Sequence, residues 1–334
     1  MTWDDVKEIL RPEGVHMGAM KADPDKCTQC GLCMDNCPFG AWEAGDDGVP
    51  RMKAEYECFS CYNCMAACQE DAIIIVDTYH VDQGYYWATD PHPLPAKMPL
   101  PPRDQGGSPD EYNEIERAVF ERRSVRHFDR EPVPDVLIRR VLEAGRFAPS
   151  AGNCQPWKFI VITDKALLAE IDKGILDTMN MFNNMYKSDD MVKGLEAMCQ
   201  PPVGPGVFDP RQILGGTKAI VKAELPPSLN APAMILLLGD ERAIAGPQIN
   251  IGICGQNMNL VANSLGIKSC WVGFVAVLEN LPQLKEKLGI NPPWRVVSSI
   301  VLGYPSFQQE GMVPREYRPV TWFREGSDGP EIEQ

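Results

Sequence analysis

With 334 residues, 44% of them apolar, the chain is too long for one small domain and can bury a sizeable core. Its formal net charge of -14 argues against nucleic acid or an anionic membrane as the main partner, because either would repel it. The opening MTWDDVKEILRPEG lacks a basic segment leading into an apolar run, and no stretch approaches the ~20 apolar residues that span a bilayer, so the expected location is the cytoplasm.

Eight of the twelve cysteines fall between residues 27 and 68, a density that suggests metal ligation rather than a disulfide scaffold in a chain with no secretory signal. Cys27, Cys30, Cys33 and Cys37 recur as Cys58, Cys61, Cys64 and Cys68, each 31 residues further on, and Ala41 recurs as Ala72. The duplication predicts a unit with pseudo-two-fold symmetry. Each repeat has the spacing C-x2-C-x2-C-x3-C, in which a tight turn can present three thiolates to one cubane while the fourth cysteine points elsewhere. Zinc is the competing reading, but zinc modules usually set two C-x2-C pairs well apart so that four sulfurs can close a tetrahedron. Cys154, Cys199, Cys254 and Cys270 show no ligand spacing and read as buried small hydrophobes or inert thiols.

Residues 91–109 contain seven prolines and few large apolar side chains, the composition of a stiff linker. Beyond it, amphipathic helix-length segments alternate with the apolar runs Phe159–Ile162, Ala233–Leu238 and Val296–Leu302, a pattern of mixed helix and strand. Helices are predicted from Pro109 to Arg123 behind a Ser108 cap, from Pro134 to Phe147 with a stripe of Val136, Leu137, Val141 and Leu142, and from Pro247 to Leu265 before Gly266. The stretch at about 171–229 is rich in Met, Gly and Pro and reads as an irregular insertion or lid. Its methionines (Met179, Met181, Met185, Met191 and Met198) suit either an adaptable pocket or core filling.

Two short segments stand out in this domain. Arg122, Arg123 and Arg126 crowd into five positions around Ser124 in a chain that is otherwise acidic, and Pro149, Ser150, Ala151, Gly152, Asn153, Cys154, Gln155 and Pro156 form a proline-bracketed loop of small polar residues. Later come Cys270, Trp271, Val272, Gly273 and Phe274, then Gly303, Tyr304 and Pro305 followed by Arg315 and Arg318.

Over about residues 20–77 the chain resembles the bacterial two-cluster ferredoxins, with Pro38 after the first repeat and Gln69 where that family often has proline. The resemblance implies one [4Fe-4S] cluster on Cys27, Cys30, Cys33 and Cys68 and a second on Cys58, Cys61, Cys64 and Cys37. Over about residues 112–322 it resembles the nitroreductase family of FMN enzymes, whose motifs occur here in order. That likeness implies that Arg122, Arg123, Ser124 and Arg126 hold the FMN phosphate and the polar edge of the ring, for which guanidinium groups are suited. It further implies that Pro149, Ser150, Ala151, Asn153 and Gln155 approach the flavin from the partner subunit of a homodimer. The backbone of Val272 and Gly273 would lie near flavin N5, although some members carry an acidic residue at the position of Val272, and of Arg315 and Arg318 the latter is the preferred arginine to reach the phosphate.

The expected architecture is α+β: a two-[4Fe-4S] ferredoxin-like domain over 1–80, a Pro-rich linker over 81–110, and a nitroreductase-like domain over 111–334, a central sheet flanked by helices. Electrons would enter from an external ferredoxin or another low-potential donor, collect on FMN and leave to a small acceptor such as a nitroaromatic, a quinone or an activated double bond. A narrow enzyme resembling the reductive flavin deiodinases, and a relay subunit between proteins, are the alternatives. No catalytic acid or base is evident, and His127 reads as a packing or hydrogen-bonding residue.

Overall fold

The computed structural model describes residues 15–54, 58, 60–78, 80–81, 112–185, 217–307, 313–315, 320–326 and 329–333. The expected linker over 81–110, the Ser108 cap and Arg318 therefore lie outside the described residues, apart from Val81.

The N-terminal region contains β1 (Val15–His16), β2 (Ala19–Ala22), α1 (Leu32–Asp35), β3 (Trp42–Ala44), β4 (Pro50–Met52), α2 (Asn63–Ala67), β5 (Ile73–Asp77) and β6 (His80–Val81). β2 pairs antiparallel with β5, β3 with β4, and β1 with β6. The sequence duplication is a structural one. Gln29 (φ 58) and Gly31 (φ 79) lead into α1 with left-handed backbone, and Ser60 (φ 54) and Tyr62 (φ 56) lead into α2 in the same way. Side chains other than glycine avoid that region, so its repetition marks a duplicated turn held by the structure around it rather than by local preference. Met20, Trp42, Tyr62, Met65, Ile73 and Ile75 make a small core around Cys33 and Cys64.

The second region runs through α3 (Glu114–Glu121), α4 (Asp135–Arg146), β7 (Trp157–Ile162), α5 (Lys165–Met185), α6 (Lys218–Lys222), β8 (Ala233–Asp240), α7 (Gly246–Ser264), β9 (Lys268–Val272), α8 (Pro282–Lys287), β10 (Trp294–Gly303), β11 (Val320–Trp322) and β12 (Glu331–Glu333). Its antiparallel sheet has the order β7-β8-β10-β9. β8 is buried along nearly its whole length because both faces are covered, which explains its unbroken apolar run. Met234, Leu236 and Leu238 face Ile171, Ile175 and Met179 of α5, whereas Ala233, Ile235 and Leu237 face α4 and α7 through Val141, Ile251 and Met258. This is the expected α+β layering of a central sheet between helices.

Three local expectations change. The helix expected from Pro109 is described from Glu114, capped by Asn113, whose side chain accepts from Ile115 N and Glu116 N while Glu116 returns a bond to the Asn113 N–H. That reciprocal box settles the start. In α4 the buried stripe is Ile138, Val141 and Gly145, and Val136 is 62% exposed, because the core-facing arc lies one position round from the one read in sequence. Residues 171–185 are not irregular: they are the later turns of α5, whose Ile171, Ile175 and Met179 repeat every four residues onto the sheet. Met179 is core, Met181 is exposed, and Met191 and Met198 lie outside the described residues with the rest of the expected lid over 186–216.

Candidate cluster and flavin sites

The turns before α1 and α2 gather the eight cysteines around two cavities. One is lined by Cys27, Cys30, Cys33 and Cys68, with Leu32, Ile73 and Glu70 in its wall. The other is lined by Cys37, Cys58, Cys61 and Cys64, with Met20, Trp42 and Asn63 beside them. Each therefore takes three cysteines from one repeat and the fourth from the other. Among the described residues no group of three His, Cys, Asp or Glu side chains is placed to hold a single metal ion, whereas each cavity spreads four sulfurs around a volume, the arrangement a cubane requires.

The charge state points the same way. Burial, with neighbouring cysteines adding to it, pushes the Cys58 thiol up to about 12 and Cys33 up to about 11, and burial also raises Cys61 and Cys64. Four bare thiolates would not share such a space; a metal centre supplies the positive charge that displaces their protons. The backbone N–H groups of Gln29, Ala41 and Ala72 donate to the sulfurs of Cys27 (3.4 Å), Cys37 (3.3 Å) and Cys68 (3.2 Å), and the last two repeat one another across the duplication.

In the second region the arginine run leaves α3 and lies beside β9. Ser124 forms a parallel bridge with Ser269, and Val125 N donates to Ser269 O at 3.0 Å. Ser269 is itself pinned by its hydroxyl to Asn259 of α7 at 2.8 Å. Five cationic side chains fall in this neighbourhood. Burial, then the adjacent Arg315, pulls Arg122 below the ordinary guanidinium range; burial lowers Arg123, and burial, then Arg123, lowers Lys268. Arg122 Nε and Arg123 Nη1 are buried with no hydrogen-bond partner among the described residues. Crowded, partly desolvated guanidinium groups with donors to spare are a fit for a dianionic phosphate.

The strand β9 then delivers Cys270, Trp271, Val272 and Gly273 to the same edge. The Val272 carbonyl accepts from the Ser298 and Ser299 hydroxyls, both at 3.3 Å, which fixes the turn into the 3-10 segment Gly273–Asn280. A Cβ built on Gly273 would meet nothing within 4 Å, so the main chain there is open to a flat ligand. Behind it, Gly255 of α7 leaves room for the Trp271 ring: a Cβ at that position would come within 2.0 Å of it. Gly303, Tyr304 and Pro305 join this assembly through Asp129 N to Tyr304 O (2.9 Å) and the Phe128–Pro305 bridge, and His127 packs edge-on to Phe307 at 5.9 Å.

The loop from Pro149 to Gln155 sits elsewhere. It precedes β7, the opposite edge strand from β9, at the end where Trp157 pairs with Gly239, while Ser269 lies at the end where Leu302 and Gly303 emerge. The loop is exposed from Gly152 to Gln155 and bonds within itself: Ser150 Oγ accepts from Gln155 N at 3.0 Å, and Gln155 Nε2 donates to Asn153 Oδ1 at 3.3 Å. Asn153 (φ 53) and Gln155 (φ 48) are held in left-handed backbone, a strain that polar turn residues tolerate. One chain does not bring this loop to the arginines.

Of the other cysteines, Cys254 and Cys270 are buried as expected, Cys154 is exposed, and Cys199 lies outside the described residues. Sequence reasoning missed Ser269, Lys268 and Asn63. Lys268 directly precedes the Cys270 segment and could have been noticed as a further cation; Asn63, one of the variable positions within the second cysteine motif, carries no such signal.

The profile described as the nitroreductase family matches residues 119–304, more than half of the chain, and that of the 4Fe-4S dicluster domain matches residues 19–69. A putative NADH dehydrogenase/NAD(P)H nitroreductase of Archaeoglobus fulgidus is 26% identical over 58% of this chain and 87% of its own. A 5,6-dimethylbenzimidazole synthase of Rhodobacter capsulatus is 27% identical over 61% and 91%. Among solved structures, a nitroreductase with bound FMN from Desulfitobacterium hafniense DCB-2 has 24% identity and a TM-score of 0.46, covering 61% of this chain and 95% of that one. The chain belongs to the nitroreductase family, as an FMN-dependent oxidoreductase preceded by a 4Fe-4S ferredoxin-like domain. No helix among the described residues is long and apolar enough to cross a membrane.

Proposed function

We propose that this protein is an iron-sulfur flavoenzyme that draws on two [4Fe-4S] clusters and FMN to reduce a small acceptor: a nitroaromatic, a quinone or an activated double bond. The observation that carries this reading is contiguity. Arg126 Nη1, from the arginine run, donates to Asn63 Oδ1, from the second cysteine motif, at 3.4 Å, so the cluster site and the flavin site adjoin within one chain.

Residues take the following roles. Cys27, Cys30, Cys33 and Cys68 hold one cluster and Cys37, Cys58, Cys61 and Cys64 the other. Arg122, Arg123 and Arg315 hold the FMN phosphate, for which the unpaired buried donors of Arg122 and Arg123 are supporting evidence, and Arg318 joins them from the closing segment. Ser124 and Arg126 address the polar edge of the ring, and the backbone at Val272 and Gly273 lies against its centre. When bound, FMN supplies the exchange between one-electron and two-electron chemistry. The protein's own contribution is positive charge beside the reduced cofactor.

The chain acts as a homodimer, with Pro149, Ser150, Ala151, Asn153 and Gln155 completing the partner's pocket. The placement of that loop at the far edge of the sheet supports this reading, as do the exposed Ile249 and Ile253 on α7 and Phe147 after α4. An external ferredoxin or similar low-potential donor in a reducing cytoplasm fits eight ligand thiols that must stay reduced.

The test is the visible spectrum of anaerobically purified, reduced protein on adding a nitroaromatic, then a quinone. Joint reoxidation of flavin and cluster absorbance is expected. A protein that stays reduced with both acceptors sinks the broad-acceptor reading and leaves a narrow enzyme or a relay between proteins.

A further inference from the structure

The two cysteine cavities differ in the charge around them. The cavity of Cys27, Cys30, Cys33 and Cys68 opens toward solvent at the exposed Cys30 and has the acidic residue Glu70 among those that line it. The cavity of Cys37, Cys58, Cys61 and Cys64 faces the flavin domain through Asn63, which is 2% exposed. Against it stands Arg126, a half-buried residue whose Nη1 reaches only neutral acceptors: Asn63 Oδ1 at 3.4 Å and Ser124 O at 3.3 Å. Among the described residues no carboxylate pairs with it. A guanidinium placed in this way needs a counter-charge.

The sulfurs supply it. Burial works against the charge on Arg126, yet Cys270, Cys61 and Cys37 hold it above the ordinary guanidinium range. Two of the three sulfurs acting on Arg126 are cluster ligands of the second cavity, and none belongs to the first.

Adding an electron to a buried anionic cluster is opposed by low dielectric, and cluster potential is set by net charge, hydrogen bonding and exposure. Without a compensating cation the enclosed second cluster would be the harder of the two to reduce, which is the wrong order for delivering electrons toward the flavin domain. We propose that Arg126 is the counter-charge of the cluster held by Cys37, Cys58, Cys61 and Cys64, selectively raising its reduction potential. Asn63 orients the guanidinium by accepting from it. This rests on the reading that both cavities hold [4Fe-4S] clusters, and it concerns the iron-sulfur site rather than the flavin contact assigned to the same residue.

The experiment is an EPR-monitored redox titration of the intact anaerobic protein, with the two signals assigned using Cys30→Ser and with iron and flavin content measured on each sample. Arg126→Gln should lower the potential of the second cluster by a tenfold or greater loss in its one-electron reduction equilibrium, ~59 mV, and leave the first cluster unmoved. Arg126→Lys, which keeps the charge, should recover most of the difference. If Arg126→Gln fails to retain the cluster, Asn63→Asp gives the same reading with the guanidinium still present, because a carboxylate there would neutralise it and lower the second potential alone. An unchanged second potential, or equal shifts in both clusters, overturns the proposal. Wild-type iron sufficient for only one cluster would overturn the two-cluster reading and the proposal with it, whereas loss of flavin with cluster potentials as expected would leave it standing.

Discussion

The two regions of this molecule hold themselves together by different means. Residues 15–78 contain short two-stranded ladders, two helices of little more than one turn and a core of few large side chains, two of whose buried members, Cys33 and Cys64, line the cysteine cavities. The sheet domain buries apolar layers on both faces, with Ile235, Leu236, Leu237 and Ile300 fully enclosed. A core of the first kind is too small to stand without cross-links, and cysteine sets that cross between the repeats would supply them once iron is bound. A core of the second kind needs none.

The sharpest break of this contrast is removal of the iron. Chelation under anaerobic denaturing pressure should abolish slow hydrogen exchange across β2, β5, α1 and α2 while β8 and β10 keep theirs. The reverse probe is Leu236→Ala, which should cost the sheet domain about 2–5 kcal/mol, as a fully buried Leu deleted from a packed layer does, with cluster absorbance unchanged. Retained protection in the iron-free N-terminal region would show that its small core suffices and that the contrast is false.

A second probe asks whether the flavin site, unlike the cluster site, is separable from the fold around it. Arg122 leaves its Nε unpaired and is repelled by Arg315, so it contributes little to stability in a single chain and is placed for an anion. Arg122→Ala should weaken FMN retention roughly 10–100-fold, the order expected for a lost hydrogen bond to a charged group, with iron content and thermal stability intact. Normal flavin content would remove Arg122 from the phosphate site.

The same contrast governs what could be read from sequence. Cluster ligation is local: four cysteines within eleven positions, duplicated, announce themselves, and the cavities gather the crossed sets that the ferredoxin likeness implies. β7, β8, β10, α4 and α7 were legible because apolar runs and stripes report burial directly. The flavin site is legible only as separate pieces, since the contact of Val125 with Ser269 joins residues far apart in the chain and nothing in either segment encodes the pairing. Asn63 shows the limit: its role comes from the docking of two regions, and within its own motif it is an ordinary polar residue. The later turns of α5 are hard to read because Gly174, Asn180, Asn183 and Asn184 weaken the helical pattern, while Ile171 and Ile175 at zero exposure show that tertiary packing overrides it.

The smallest expected effect lies at the start of the flavin domain. α3 has no buried residue, and its Ile115 (75% exposed) and Val119 (42% exposed) face outward, so within one chain the helix gains little from packing. What defines it is the Asn113–Glu116 box, with Asn113 Oδ1 accepting at 2.9 and 3.0 Å and Glu116 Oε2 at 2.8 Å. Asn113→Ala should therefore cost about 1 kcal/mol, read as faster hydrogen exchange confined to residues 114–121, with no change in iron, flavin or the protection of β8. If exchange there is unaffected, the helix is held by something other than its cap. The exposed Ile115 and Val119 would then be the surface that another copy of the chain covers, placing α3 with the sheet domain's packed layers rather than with its free edges.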